Sequence, residues 1–242
     1  MARGAPDYSN VKSEQAIYTL MDLGELAARL GSIDVFDRSG NIVWMDDFEA
    51  PTLNWQDEHI GTLSEVALST AYRLMGAQSC LLTTGSDGTM LAKIYRYLMI
   101  PNLSDYSLEL AFACDSDITT LTWYIDHIQN GWDHTYGIQY NRTAKTLSYL
   151  NSAGGFTVFA NNVLPLMAVY IFHTGKLTVD LTTDQYKQFR FDQITYDLSS
   201  IACWPNDLGI PNAFRVMFEA VGKPTKNALC YVDNALVKQN EP

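Results

Sequence analysis

Two sets of side chains in this sequence have the types and spacing to do chemistry. The first is acidic. Asp46-Asp47-Phe48-Glu49 lies early in the chain, and Asp233 sits within Tyr231-Val232-Asp233-Asn234 near its end. Asp46, Asp47, Glu49 and Asp233 offer hard oxygen donors, and a calcium ion takes about six to eight such oxygens. The second set is aromatic. Trp123, Tyr124, Trp132, His134, Tyr136 and Tyr140 crowd around Asn130-Gly131, interleaved with Asp126, Asp133, Gln139 and Asn141. A sugar stacks its C–H face on an exposed ring while carboxylates and amides hold its hydroxyls. Trp123, Ile125 and His127 alternate with Tyr124, Asp126 and Ile128, so half of these rings belong to a core. The expected sugar site is Trp132 and Tyr136, nearest the turn, with Trp123, Asp133 and Gln139 beside them.

Other chemistries find less support. Glycoside hydrolysis needs two carboxylates flanking one bond. Glu65, Glu109 and Glu219 instead stand alone in apolar strands, and Glu109 with Glu219 is the only pairing the sequence suggests. There is no Gly-x-Ser-x-Gly elbow and no cysteine set for nucleophilic attack. His59, His127, His134 and His173 lack the spacing of a zinc ligand pair, and Cys80, Cys114, Cys203 and Cys230 form no CxxC. Each cysteine lies in an apolar stretch and reads as a buried free thiol. No cofactor beyond a structural calcium ion is expected, and no enzymatic activity.

The elements that must position these residues are strands. Short apolar segments bounded by turn residues recur from Val66–Leu74, Ser79–Thr83 and Ala92–Leu98 through Ser107–Cys114, Thr119–His127, His134–Asn141 and Thr146–Asn151. The pattern continues with Gly155–Phe159, Ala168–Thr174, Lys176–Thr182, Gln185–Phe191, Ile194–Asp197, Ala213–Ala220 and Ala228–Lys238. The acidic opening strand and the closing strand with one Asp among apolar residues are expected to pair. Residues 1–40 differ: apolar residues from Ala16 to Leu30 recur at helical spacing, with Ser13 to cap and Gly31 to end a short amphipathic helix. The expected organisation is an amino-terminal arm, 1–40, ahead of one all-β sandwich, 41–242.

Bulk properties narrow the partners. With 47% hydrophobic residues in 242, the chain can fill a large core. Its formal charge of −11, from 27 acidic and 16 basic residues, repels phosphate backbones, so nucleic acid is not an expected partner. No run of about 18 apolar residues occurs, so no membrane partner is expected either. The amino terminus lacks the apolar segment of a signal peptide.

The order of these features resembles jelly-roll carbohydrate-binding modules and, more loosely, the concanavalin-like lectins and glucanases. The resemblance runs from about Trp44 to Lys238. It rests on Asp46-Asp47-Phe48-Glu49 with Trp55 following, on the segments Gly76–Gly85 and Ala92–Leu98, and on Tyr231-Val232-Asp233-Asn234. It implies a jelly roll, a structural calcium ion held by Glu49 and Asp233 where the first and last strands meet, and glycan binding. The Glu-x-Asp-x-x-Glu strand of the lectin-like glucanases is absent. The front of the chain, Asp22–Asp34 through Glu49, is similar to uncharacterised bacteriophage-encoded proteins. The expectation is therefore a non-catalytic structural or surface protein of an oligomeric assembly, in the virion or the host cytoplasm. Its arm would contact other copies or other virion proteins. A carbohydrate-binding module is the alternative, and a degenerate glycosidase using Glu109 or Glu219 a second one.

Overall fold

The computed structural model describes residues 40–87, 90–99, 102–165 and 168–240, so the expected arm and its helix lie outside the described residues. Within them there is no helix. The strands are, in chain order, β1 (Asn41–Asp46), β2 (Gln56–Ile60), β3 (Glu65–Ser69), β4 (Ser79–Thr83), β5 (Leu91–Leu98), β6 (Asp105–Cys114), β7 (Ile118–Gln129) and β8 (Gly131–Asn141). They continue with β9 (Thr146–Leu150), β10 (Phe156–Asn161), β11 (His173–Asp180), β12 (Gln185–Phe191), β13 (Ile194–Asp197), β14 (Trp204–Ile210), β15 (Ala213–Gly222) and β16 (Leu229–Gln239).

These strands build two antiparallel sheets. The first runs β13-β12-β11-β6-β16-β4-β3, and the second β10-β9-β8-β7-β15-β5-β2. The expected pairing of opening and closing strands is present, with Asn41 opposite Gln239 and Asp46 opposite Ala235. One edge of β16 serves two partners in turn: Leu229–Val232 pairs with β4, and the second half pairs with β1. Between the halves the register against β6 shifts after Asp233, and Asn234 takes a left-handed φ of 49°. This bulge re-aims Asp233 at the join.

Alternation explains the core. Leu121, Trp123 and Ile125 of β7 are buried with Phe214, Val216 and Phe218 of β15 and with Leu108, Leu110 and Phe112 of β6. The Trp123 ring packs edge-on to Phe112, Phe189 and Phe218, with centroids 5.3, 5.3 and 5.1 Å away. Opposite it lies Gly175, where a Cβ would come within 2.6 Å of the indole. All four cysteines are buried and free. Asn130 and Gly131, with φ of 55° and 87°, close the tight β7–β8 hairpin, as Asn-Gly does when both turn residues must be left-handed.

One strand expectation needs correction, and two strands lie where none was expected. The segment Ala168–Thr174 enters a strand only at His173. β2 escaped notice because Gln56-Asp57-Glu58-His59 has no apolar alternation, being an exposed edge strand. β14 contains Pro205 and Gly209, which weaken a strand pattern; Pro is tolerated there because the strand pairs only with β8.

Candidate functional site

The phase of β7 decides which residues can meet a ligand. With Trp123 and Ile125 in the core, Thr122, Tyr124 and Asp126 face outward, and the register carries that face across four strands. One row is Tyr97, Arg215, Asp126 and Thr135, on β5, β15, β7 and β8. The next is Tyr95, Met217, Tyr124 and Gly137, and the one after it is Lys93, Glu219, Thr122 and Gln139. Asp133 stands two residues before Thr135 on β8, diagonal to Asp126. The second sheet thus presents a polar and aromatic outer face, where an outer β-face need carry only solvated side chains.

Its groups are ordered by each other. Arg215 donates from Nε to Asp126 Oδ2 at 2.6 Å, and its Nη2 lies 2.6 Å from the same oxygen. The guanidinium rests 6.0 and 5.8 Å from the ring centroids of Tyr95 and Tyr97. Tyr97 is 47% exposed, so its ring is open to a ligand, whereas Asp126 is 1% exposed. Burial raises the Asp126 carboxyl, and Arg215 opposes that rise. Burial, with the charge of Asp126 adding to it, pushes Asp133 from 3.8 up to about 6. Burial also raises Glu219, against the pull of Lys93. Asp133 Oδ1 and Thr122 Oγ1 are buried without a hydrogen-bond partner. The Tyr124 ring lies across Gly137, where a Cβ would meet it at 2.9 Å.

The residues expected at a sugar site are divided by this phase. Asp133 and Gln139 lie on the outer face. Trp123 and Tyr136 point the other way and are fully buried, so neither ring offers a face to a sugar. Trp132 shares their phase but stands beyond the core at the hairpin end, and it is 47% exposed. Glu109 and Glu219 do not converge. Glu109 lies on the side of β6 opposite Leu108 and Leu110, and Glu219 on the side of β15 opposite Phe218, so the whole sandwich separates them.

The acidic edge assembles, but around amides. Asp46 Oδ1 accepts from Phe48 N at 2.8 Å, and Asp47 Oδ1 from Glu49 N at 3.1 Å. Glu49 Oε1 accepts from Ala77 N and Gln78 N at 2.8 and 3.1 Å. Asp233 Oδ2 accepts from Leu74 N and Met75 N at 2.8 and 3.3 Å, and its Oδ1 from Asn234 N at 2.8 Å. Gly76, with φ of 65°, leaves the room that the Glu49 carboxylate fills. The N–H groups of the β3–β4 loop thus engage Glu49 Oε1 and Asp233 Oδ2, two of the oxygens that the calcium expectation assigned to a cation. All four acids accept from backbone amides, and Asp46 Oδ2 is buried without a hydrogen-bond partner. Burial raises Asp233 to about 6 despite these bonds.

One group of metal-type donors does converge among the described residues: His134, Asp184 and Cys203, with ligand atoms all within 4.8 Å of one another. Positions 134, 184 and 203 are far apart in sequence, which is why a search for closely spaced ligands passes over them.

No family model matches the chain, and neither does any curated protein. Solved structures share the fold at low identity. The cellulose-induced protein Cip1 superposes with a TM-score of 0.57 at 13% identity, over 80% of this chain and 96% of that one. An endo-β-1,4-glucuronan lyase from the fungus Trichoderma reesei gives 0.56 at 12%, over 83% and 96%. The lectin UEA-II, solved in complex with galactose, gives 0.51 at 12%, over 84% and 100%. The chain also matches a sialidase, of which it spans 19%. The chain is thus an all-β jelly-roll sandwich, a fold it shares with these proteins. Two expectations are corrected by this company. The fold is shared with a polysaccharide lyase and a sialidase, so the inference that the chain is not an enzyme falls. The neighbours are lectins and glycan-processing enzymes and lend nothing to a bacteriophage resemblance or a virion role. No helix among the described residues is long and apolar enough to cross a membrane.

Proposed function

We propose that the protein binds a glycan on the outer face of the second sheet. Tyr97 and Tyr95 form the stacking platform, and Arg215, Asp133 and Gln139 serve as hydroxyl partners. The observation that carries the reading is Asp133: a carboxylate on the face away from the core, with a buried oxygen that accepts no hydrogen bond. Such a group costs stability and is retained where a ligand completes it. The lectin likeness supports the same reading at the level of fold. Trp132, exposed at the hairpin end, extends the aromatic surface.

A second reading, glycan cleavage on the same face, is favoured by one pair. Asp126 and Asp133 are diagonal neighbours on one face, close enough for both carboxyl groups to meet one ligand. Paired carboxyl groups flanking one bond are what cleavage at a sugar carbon needs. Burial raises Asp133 to about 6 and raises Asp126 as well, with Arg215 opposing the rise at Asp126, and raised carboxyls of this kind suit proton transfer.

Affinity electrophoresis through gels containing laminarin, xylan or alginate tests binding. Retardation of the full chain by at least one polysaccharide, lost in Tyr97→Ala and Asp133→Asn, is the expected result. Free migration in all, or retardation unchanged in both variants, would overturn the assignment. Release of reducing ends or unsaturated uronates from the retarding polysaccharide tests cleavage, and its absence would leave a binding protein only.

A further inference from the structure

At one end of the sandwich the β11–β12 turn meets the starts of β8 and β14, and a second polar cluster forms there. His134 Nδ1 lies 3.0 Å from Asp184 Oδ1 and 3.7 Å from Cys203 Sγ. His127, directly across the β7–β8 pair from His134, has its ring centroid 6.2 Å away. It is 2% exposed, and neither of its ring nitrogens has a hydrogen-bond partner. A buried imidazole with both nitrogens unpaired is costly, and it calls for a ligand that the described protein atoms do not supply.

The geometry distinguishes between two kinds of site. A nucleophilic Cys-His-Asp relay needs the imidazole to use one nitrogen toward the sulfur and the other toward the carboxylate. Here both contacts fall on His134 Nδ1, so the arrangement is not a relay. It has the convergence of a coordination shell. With Zn–N near 2.0 Å, Zn–O near 2.1 Å and Zn–S near 2.3 Å, a tetrahedral ion sets N···O at about 3.3 Å and N···S at about 3.6 Å. The observed 3.0 and 3.7 Å bracket those separations. Two imidazoles on one tetrahedral ion stand with ring centres about 5–6 Å apart, close to the 6.2 Å between His127 and His134.

The surroundings support the ligands as an outer shell does. The Tyr136 hydroxyl donates to Asp184 Oδ1 at 3.4 Å. Cys203 N donates to the Asp184 backbone carbonyl at 3.0 Å, tying two ligand-bearing segments together. The Asp184 side chain is partly exposed and gives the ion a way in.

We infer that His134, Asp184 and Cys203, with His127 as fourth donor, bind a divalent transition-metal ion of the zinc class. A mixed nitrogen, sulfur and carboxylate set selects such an ion over calcium or magnesium, which want oxygen alone. On binding, the Cys203 thiol proton passes to solvent and the sulfur–metal bond replaces it. The ion would pin the β11–β12 turn of the first sheet to β8 of the second. This site stands apart from the glycan face and does not depend on it.

The test is titration of the chelator-treated full chain with Co²⁺ and then Zn²⁺. The expected result is one equivalent of Co²⁺ with the near-ultraviolet thiolate charge-transfer band and the visible bands of a tetrahedral ion, displaced by Zn²⁺. Cys203→Ser should abolish the charge-transfer band, and Cys203→Ser and His127→Ala should each weaken Zn²⁺ binding about tenfold or more. Cys80→Ser, at a thiol outside the cluster, should leave both unchanged. Absence of a bound equivalent, or a charge-transfer band that survives Cys203→Ser, would overturn the assignment. Near-ultraviolet circular dichroism checks that each variant is folded. Should Cys203→Ser fail to fold, Asp184→Asn, on the exposed turn, should keep the thiolate band but weaken Zn²⁺ binding about tenfold or more, and Zn²⁺ affinity unchanged in that variant would overturn the assignment.

Discussion

Two groups of carboxylates on the same sandwich are put to opposite uses. Where the first and last strands meet, Glu49 and Asp233 spend their oxygens on amides of the β3–β4 loop, which holds that loop to the sheet. On the outer face of the second sheet, Asp133 is equally withdrawn from water, yet its Oδ1 accepts nothing. Burial raises both Asp133 and Asp233 to about 6, so the titration alone does not separate them. What separates them is partnership. An acid whose lone pairs are filled by backbone is part of the frame, and one that is buried and left open is held ready for something else.

The comparison is broken most readily at Asp233. Asp233→Ala leaves three amide donors without their acceptor, and urea unfolding should show a loss of about 2–4 kcal/mol. A change below about 0.5 kcal/mol would mean that water serves those amides equally well. Asp133→Asn should act in the opposite direction. Its folded pKa is raised, so its contribution is fully present below the unfolded value of 3.8 and is lost as pH rises through about 6. At pH 7.5 the Asn variant should therefore be more stable than the parent by about 1–3 kcal/mol, and the advantage should vanish near pH 4. Glu49→Gln keeps one acceptor oxygen for Ala77 and Gln78 and should cost about 1 kcal/mol. Smallest of all is the effect of calcium: addition of EGTA should leave the melting temperature unmoved, because amides already engage Glu49 and Asp233. A fall in melting temperature on chelation would place an ion there after all.

The architecture was legible for physical reasons that stop short of the site. Strands such as Ser79–Thr83 and Gln185–Phe191 announce themselves because burial of one face forces alternation that a single sequence displays. The partnership of Asp46 with the end of the chain was readable too, since acids in otherwise apolar terminal strands need each other's edge. The glycan face was not. Trp123 and Tyr124 are equally aromatic, and only the cross-strand register, with Gly175 opening room for Trp123, fixes which of them turns inward. Tyr95, Tyr97 and Arg215 come from strands far from Asp126 in sequence, and nothing local marks them as its neighbours. Once the inward phase of β7 is known, the same alternation that hid the outer row would have listed its members strand by strand. His134, Asp184 and Cys203 are the extreme case, three single residues joined only by folding.

The most direct test of a ligand-ready face is the melting temperature of the parent chain and Asp133→Asn at pH 7.5, each with and without the retarding polysaccharide. The account predicts that the variant melts higher than the parent when alone and gains nothing from the polysaccharide, while the parent gains. A variant that melts lower than the parent, or one that is stabilised by the polysaccharide as much as the parent is, would contradict it.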